Sequence, residues 1–218
     1  MKTEIIQVTK KDLIFATSAG FLIGLLLLPV LKSSNQKLYD QLFFATVPFF
    51  LIATPLGLII AHKISKKIAI FWQLGKFGIS GVLNVLVDLG MLSLLTFFFK
   101  STFQIEAKNV IVSGISILTF YSLYKAISFI IANINSYFWN KHWTFNKIGD
   151  KKSEFFQFFV VSVVGFMINN LVASFVFKYI PPVAGMDDNQ WGLIGAAFGS
   201  IIGLAWNFIG YKFIVFKK

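Results

Sequence analysis

The chain has no cysteine, no arginine and few charges of either sign. Without cysteine there is no disulfide, no thiolate metal site and no catalytic thiol. The two histidines, His62 and His142, stand far apart, so no zinc site is expected and no cofactor is implied. Charged residues make up 13% of the chain, where soluble domains carry about 25%. Apolar residues take their place: 56% of the chain is hydrophobic, phenylalanine occurs 27 times, and mean hydropathy is +0.75. Runs this long exceed the single apolar stripe of a soluble core helix and point to a membrane protein. All 20 basic residues are lysine, and the net charge is +11. No soluble basic domain is there to present a groove, so nucleic acid is excluded as a partner. The lysines instead suit cytoplasmic loops and anionic head groups.

Six apolar spans of roughly 20 residues, enough for about 30 Å of hydrocarbon, lie near 13–31, 42–61, 77–99, 121–139, 156–177 and 191–210. The first lacks a small-residue cleavage signature and reads as a retained helix. Pro29, Pro48 and Pro55 predict kinks that neighbouring helices tolerate in lipid. An even number of spans puts both termini on one side. That side collects Lys2, Lys10, Lys11, Lys63, Lys66, Lys67, Lys76, Lys141, Lys147, Lys151, Lys152, Lys212, Lys217 and Lys218. The other collects Lys32, Lys37, Lys100, Lys108, Lys125 and Lys178. The positive-inside bias places both termini in the cytoplasm. The segment 103–121, apolar but opened by Glu106 and Lys108, reads as an extracytoplasmic helix or a re-entrant piece at the interface.

The last two-thirds of the chain is written twice, at 76–147 and 157–218. Lys76-Phe77 opens the first copy and Gln157-Phe158 the second. Asn140-Lys141-His142-Trp143-Thr144-Phe145 closes the first, and Tyr211-Lys212-Phe213-Ile214-Val215-Phe216 the second. Setting Phe77 on Phe158 pairs Gly81 with Ser162, Asn84 with Gly165 and Asp88 with Asn169. Setting Phe145 on Phe216 pairs Lys141 with Lys212, Ser136 with Asn207, Ser128 with Gly199 and Ala132 with Gly203. Two spans per copy give both copies the same orientation, a parallel repeat about an axis along the membrane normal. The expected fold is therefore all-α: six transmembrane helices, with an N-terminal hairpin at 1–66 before a four-helix bundle at 71–218 built from two parallel two-helix repeats.

The run Lys76-Phe77-Gly78-Ile79-Ser80-Gly81-Val82-Leu83-Asn84, followed by Asp88, resembles the first helix of GtrA-like proteins. Ser136-Tyr137-Phe138-Trp139-Asn140-Lys141-His142-Trp143-Thr144-Phe145 resembles the end of their second helix. Phe158 to Asn169 and Asn207 to Phe216 match the second half of the family pattern. The resemblance spans about 71–218 and implies a four-helix bundle without a soluble domain. Such proteins are implicated in moving polyprenyl-phosphate-linked sugars across the bacterial inner membrane for envelope glycans. Lys76 and Lys141 stand where the family often has arginine; lysine keeps the charge and loses the bidentate fork. The hairpin at 1–66 lies outside the resemblance.

Asp88 is the sharpest single residue, because a carboxylate at the membrane centre costs about 2.5–3.5 kcal/mol on insertion scales. Asn84 and Gly81 share its helix face. The second copy repeats that face with Ser162, Gly165 and Asn169. Two readings stand: a polar track binding sugar hydroxyls, or hydrogen bonds that hold the bundle together. Asn133, Ser136 and Asn140 form a second polar stripe, echoed by Asn207. Lys76, Lys141 and Lys212 are candidates for a phosphate, although helix-end lysines also suit the positive-inside bias and, at C-termini, the helix dipole. Trp139, Trp143 and Trp206 read as interfacial anchors or sugar-stacking faces. Gly195, Gly199 and Gly203 read as a close-packing face, and Asp187 and Asp188 as caps of the last helix.

The function expected is translocation of a polyprenyl-phosphate-linked monosaccharide across the cytoplasmic membrane, with no catalysis by this chain. Asp88 is the candidate proton carrier if an ion gradient drives the step. The alternatives are an anchor or accessory for a membrane-associated glycosyltransferase, and a small solute or ion transporter. Membrane lipid is the constant partner, and a homo-oligomer would thicken the thin wall of two helix pairs.

Overall fold

The computed structural model describes residues 7–112, 118–148, 153–183 and 185–217. The chain divides into two compact units, Met1–Asn146 and Lys147–Lys218. Lys2, Lys151, Lys152 and Lys218 of the lysine distribution lie outside the described residues.

The first unit begins with α1 (Lys10–Ser34) and α2 (Gln36–Ser65). Thr9 caps α1, and Asp12 returns the bond to the Thr9 N–H, a reciprocal capping box. Asn35 ends α1 and caps α2 through the Leu38 N–H at 3.0 Å, so one residue turns the hairpin. Glycines let the two helices touch. A Cβ on Gly24 would sit 2.8 Å from Val47 Cα, and one on Gly20 would run into the Phe50 carbonyl. Pro29, Pro48 and Pro55 lie inside helices that continue through them.

Next come α3 (Ile70–Phe103) and α4 (Phe120–Trp139), which runs into a five-residue π-helical turn, Asn140–Thr144. The N-terminal hairpin packs directly on them. Ala16 and Leu58 share a buried cluster with Trp72 and Trp143, and Ala19 and Ile23 share another with Leu83 and Leu86. The second unit pairs α5 (Glu154–Tyr179) with α6 (Asp188–Gly210), ending in another π-helical turn, Tyr211–Val215. Cβ atoms on Gly195 and Gly203 would each lie 2.9 Å from a backbone carbonyl of α5, and one on Gly199 would strike the Asn169 carbonyl. The close-packing reading of these glycines is borne out.

The segment between α3 and α4 departs from the helix expected there. Its described residues are extended or turn-like, not helical. Gln104, at φ 58°, ends α3 in the left-handed region. An antiparallel strand pair follows, β1 (Val110–Val112) and β2 (Leu118–Thr119), with residues 113–117 outside the described set. The β-branched run Val110-Ile111-Val112 favours strand over helix. Glu106 lies 2.9 Å from Lys108 at the foot of the ribbon. The Lys108 ammonium draws the Glu106 carboxyl below its ordinary range and is itself raised by it.

Large apolar side chains face outward throughout: Phe44, Phe97, Leu171 and Leu193 are all more than two-thirds exposed. Among the described residues, five helices are long and apolar enough to cross a membrane: those at Lys10–Lys32, Gln36–Ser65, Ile70–Phe103, Glu154–Tyr179 and Trp191–Val215. The sixth expected span, α4, is 20 residues long and falls outside that group. Lys125, Asn133, Asn135 and Ser136 lower its hydropathy.

Candidate functional site

Asp88 lies midway along α3 and is not isolated. Its Oδ2 is 2.5 Å from Lys125 Nζ, and its Oδ1 accepts from Ser128 Oγ at 2.6 Å. Lys125 and Ser128 are three apart on α4, so one helix face delivers both. The Lys125 side chain is 42% exposed and the Asp88 side chain 20%. The pair belongs to one copy only. Asp88 pairs with Asn169, and the alignment that sets Phe145 on Phe216 sets Lys125 on Ala196. Both charges are absent together from the second copy. Its equivalent contact is uncharged and tight, with Gly199 against Asn169.

The polar stripe of α4 runs through Asn133, Ser136, Asn140, Lys141 and Thr144, all buried. Asn133 Nδ2 donates to the Phe129 carbonyl at 2.9 Å. Asn140 Nδ2 donates to the Ser136 carbonyl and hydroxyl. Lys141 Nζ donates to the Tyr137 hydroxyl at 3.0 Å. Both copies close with a π-helical turn at the lysine-bearing motif. In each, a phenylalanine N–H reaches back five residues: Phe145 to Asn140 and Phe216 to Tyr211. Such widened turns recur at functional sites. In the second unit Lys212 is half-buried over the Phe208 and Phe213 rings. Tyr211 stacks on Phe158 with ring centroids 4.1 Å apart, and its hydroxyl lies 2.7 Å from Ser162 Oγ.

Several of these polar groups are not spent among the described residues. Asn84 Oδ1, Asn140 Oδ1, Thr144 Oγ1 and Asn207 Oδ1 are buried and hydrogen-bond to nothing among the described residues. Asn207 is the second copy's equivalent of Ser136, and its amide lies against Gly165. Asn169 Nδ2 donates to Ser200 Oγ at 3.3 Å.

Lys76 is held by a residue that sequence reasoning missed. Asp12 Oδ1 lies 2.5 Å from Lys76 Nζ, with both side chains at most 8% exposed. The same oxygen accepts from Trp143 Nε1 at 3.2 Å, while Oδ2 takes both Thr9 groups. The ammonium also sits 4.4 Å from the Trp72 ring centroid. Lys76 is thus enclosed by α1, α3 and the π turn, not turned towards a head group. Trp143 is 1% exposed, so it neither anchors at the interface nor offers a stacking face. The capping pattern Thr9-x-x-Asp12 was visible in the sequence; the pairing of Asp12 with a lysine on α3 was not. Among the described residues, no three His, Asp or Glu side chains come together as metal ligands do.

Long apolar helices and outward-facing phenylalanines define a multi-pass helical membrane protein. The family described as GtrA/DPMS, transmembrane domain, matches residues 76–216, across both copies. The chain belongs to this family, which is implicated in handling polyprenyl-phosphate sugars. Comparison with curated proteins and with solved structures gives no match.

Proposed function

We propose that this protein moves a polyprenyl-phosphate-linked monosaccharide between the leaflets of a bacterial cytoplasmic membrane, without catalysing a reaction, for use in envelope glycans. The family supports the substrate class. The observation that carries the reading is the set of unspent acceptors: Asn84, Asn140 and Asn207 each bury a carbonyl oxygen that has no partner among the described residues. A buried acceptor left unmade costs about 1–3 kcal/mol, and a ligand rich in hydroxyl donors recovers it. In this account both termini are cytoplasmic, α4 completes six spans, and Lys141 and Lys212 stand at the cytoplasmic ends of their helices. The isoprenoid tail stays in lipid while the head follows the polar faces.

The test is leaflet exchange in liposomes of two labelled lipids, polyprenyl-phosphate glucose and bare polyprenyl phosphate. Asn140→Leu and Asn207→Leu are expected to slow the sugar-bearing lipid selectively. Equal rates for the two lipids in every variant would remove the asparagines from sugar recognition. A second reading, an accessory that recruits a glycosyltransferase, is favoured by the exposed Lys63 in the last turn of α2 and Lys66 and Lys67 just after it. It predicts co-purification with such an enzyme and no exchange.

A further inference from the structure

We propose that Lys125 is a second lipid-phosphate station, deep in the bilayer and far from the lysine-bearing π turn of its own copy, and that Asp88 keeps its hold weak. This rests on the translocation reading above and adds a site to it. From Lys125 to Lys141 is 16 residues, about 24 Å along a helix; from Lys76 to Asp88 is 12 residues, about 18 Å. Counted from the cytoplasmic edge of about 30 Å of hydrocarbon, these lengths place the Asp88–Lys125 pair about 3–9 Å past the midpoint, in the leaflet opposite the π turn. A phosphate leaving one leaflet needs a cation in the other.

The three lysines buried or half-buried in the helices of the first unit are not alike. Lys76 is shut in by Asp12 and two tryptophans. Lys141 is 3% exposed against Tyr137. Lys125 is 42% exposed, and its ammonium makes one bond among the described residues, to Asp88. An ammonium has three donors, so two are unspent. Ser128 holds the other Asp88 oxygen, so the carboxylate stays anchored when Lys125 takes a second partner. Without a ligand, Asp88 neutralises a cation that would be costly in lipid. With a phosphate bound, the same carboxylate repels it. A transport station must release what it binds, and a fixed counter-anion provides that weakness. The second copy has neither charge, only Asn169 and Ala196, so bundle packing does not require the pair.

The experiment measures binding of short-chain polyprenyl-phosphate glucose to the purified full chain in nanodiscs by native mass spectrometry, with phosphatidylglycerol and inorganic phosphate as separate probes. Lys125→Gln is expected to weaken the sugar lipid about tenfold or more, the scale of one lost charge-assisted bond. Asp88→Asn is expected to bind it more tightly than wild type. Asp88→Asn/Lys125→Gln, which leaves no unpaired charge, is expected to melt like wild type yet bind as weakly as Lys125→Gln. Inorganic phosphate should compete, which identifies the recognised group. Wild-type affinity in the double variant, or no tightening in Asp88→Asn, overturns the station and leaves a structural ion pair. Equal Lys125 dependence for phosphatidylglycerol also overturns it, as a general anionic-lipid contact. Leaflet exchange in wild-type liposomes is scored separately, so the station can fail while translocation stands, and the reverse.

Discussion

Replacing Asp12 by Asn removes the charge that Lys76 was folded around while keeping the side chain's shape. Lys76 is 8% exposed on its side chain, so its ammonium cannot turn to water without opening the α1–α3 contact. Breaking a buried pair by removing one partner costs about 3–5 kcal/mol. Asp12 also accepts from Thr9 and Trp143, but those bonds share its two oxygens and their losses do not add. The Trp72 face still attracts the cation, which favours the lower half of the range. At about 2–4 °C per kcal/mol for a chain of this size, the melting temperature should fall by about 6–16 °C. Thermal unfolding in detergent, followed by tryptophan fluorescence, reads this directly because Trp72 and Trp143 flank the pair. Adding Lys76→Met to Asp12→Asn removes the stranded charge and should recover at least half of the loss. A fall of under about 2 °C in the single variant, or no recovery in the double, refutes the buried-pair account.

Gly199→Ala should lower the melting temperature strongly, because its Cβ would strike the Asn169 carbonyl; Gly78→Ala, with nothing within 4 Å, should be neutral or raise it slightly, since alanine gains about 0.8–1 kcal/mol over glycine in a helix. The same unfolding assay compares them, and equal effects would contradict the described α5–α6 contact. Tyr211→Phe removes the bond to Ser162 but leaves Ser162 donating to the Phe158 carbonyl, so a loss of about 0.5–1.5 kcal/mol is expected. A larger loss would mean that the hydroxyl has a further role in closing the second π turn.

The membrane helices and the duplication were legible because both are written locally, in apolar run length and in matching motifs. The repeat alignment was informative down to side chains: the Asp88–Ser128 bond and the Asn169–Gly199 contact occupy the aligned positions. Charge pairing was not legible. Asp12 and Lys76 are brought together by the packing of α1 on α3, and no periodicity encodes a partner 64 positions away. Lys125 was placed among loop-side lysines because hydropathy counts it against a span, whereas α4 carries it inward to Asp88. That neighbour changes Asp88 from a lone acid suited to carrying a proton into half of an ion pair. The β-ribbon was missed because three apolar residues are too short a run for periodicity to separate strand from helix, and the β-branching of Val110-Ile111-Val112 went unweighed.

The most direct test of the central claim is leaflet exchange of labelled polyprenyl-phosphate glucose in liposomes holding the full chain, beside protein-free liposomes of the same lipids. The account predicts that the protein speeds equilibration of the label between leaflets and that Lys125→Gln slows it. Exchange no faster than in the protein-free liposomes would contradict the account.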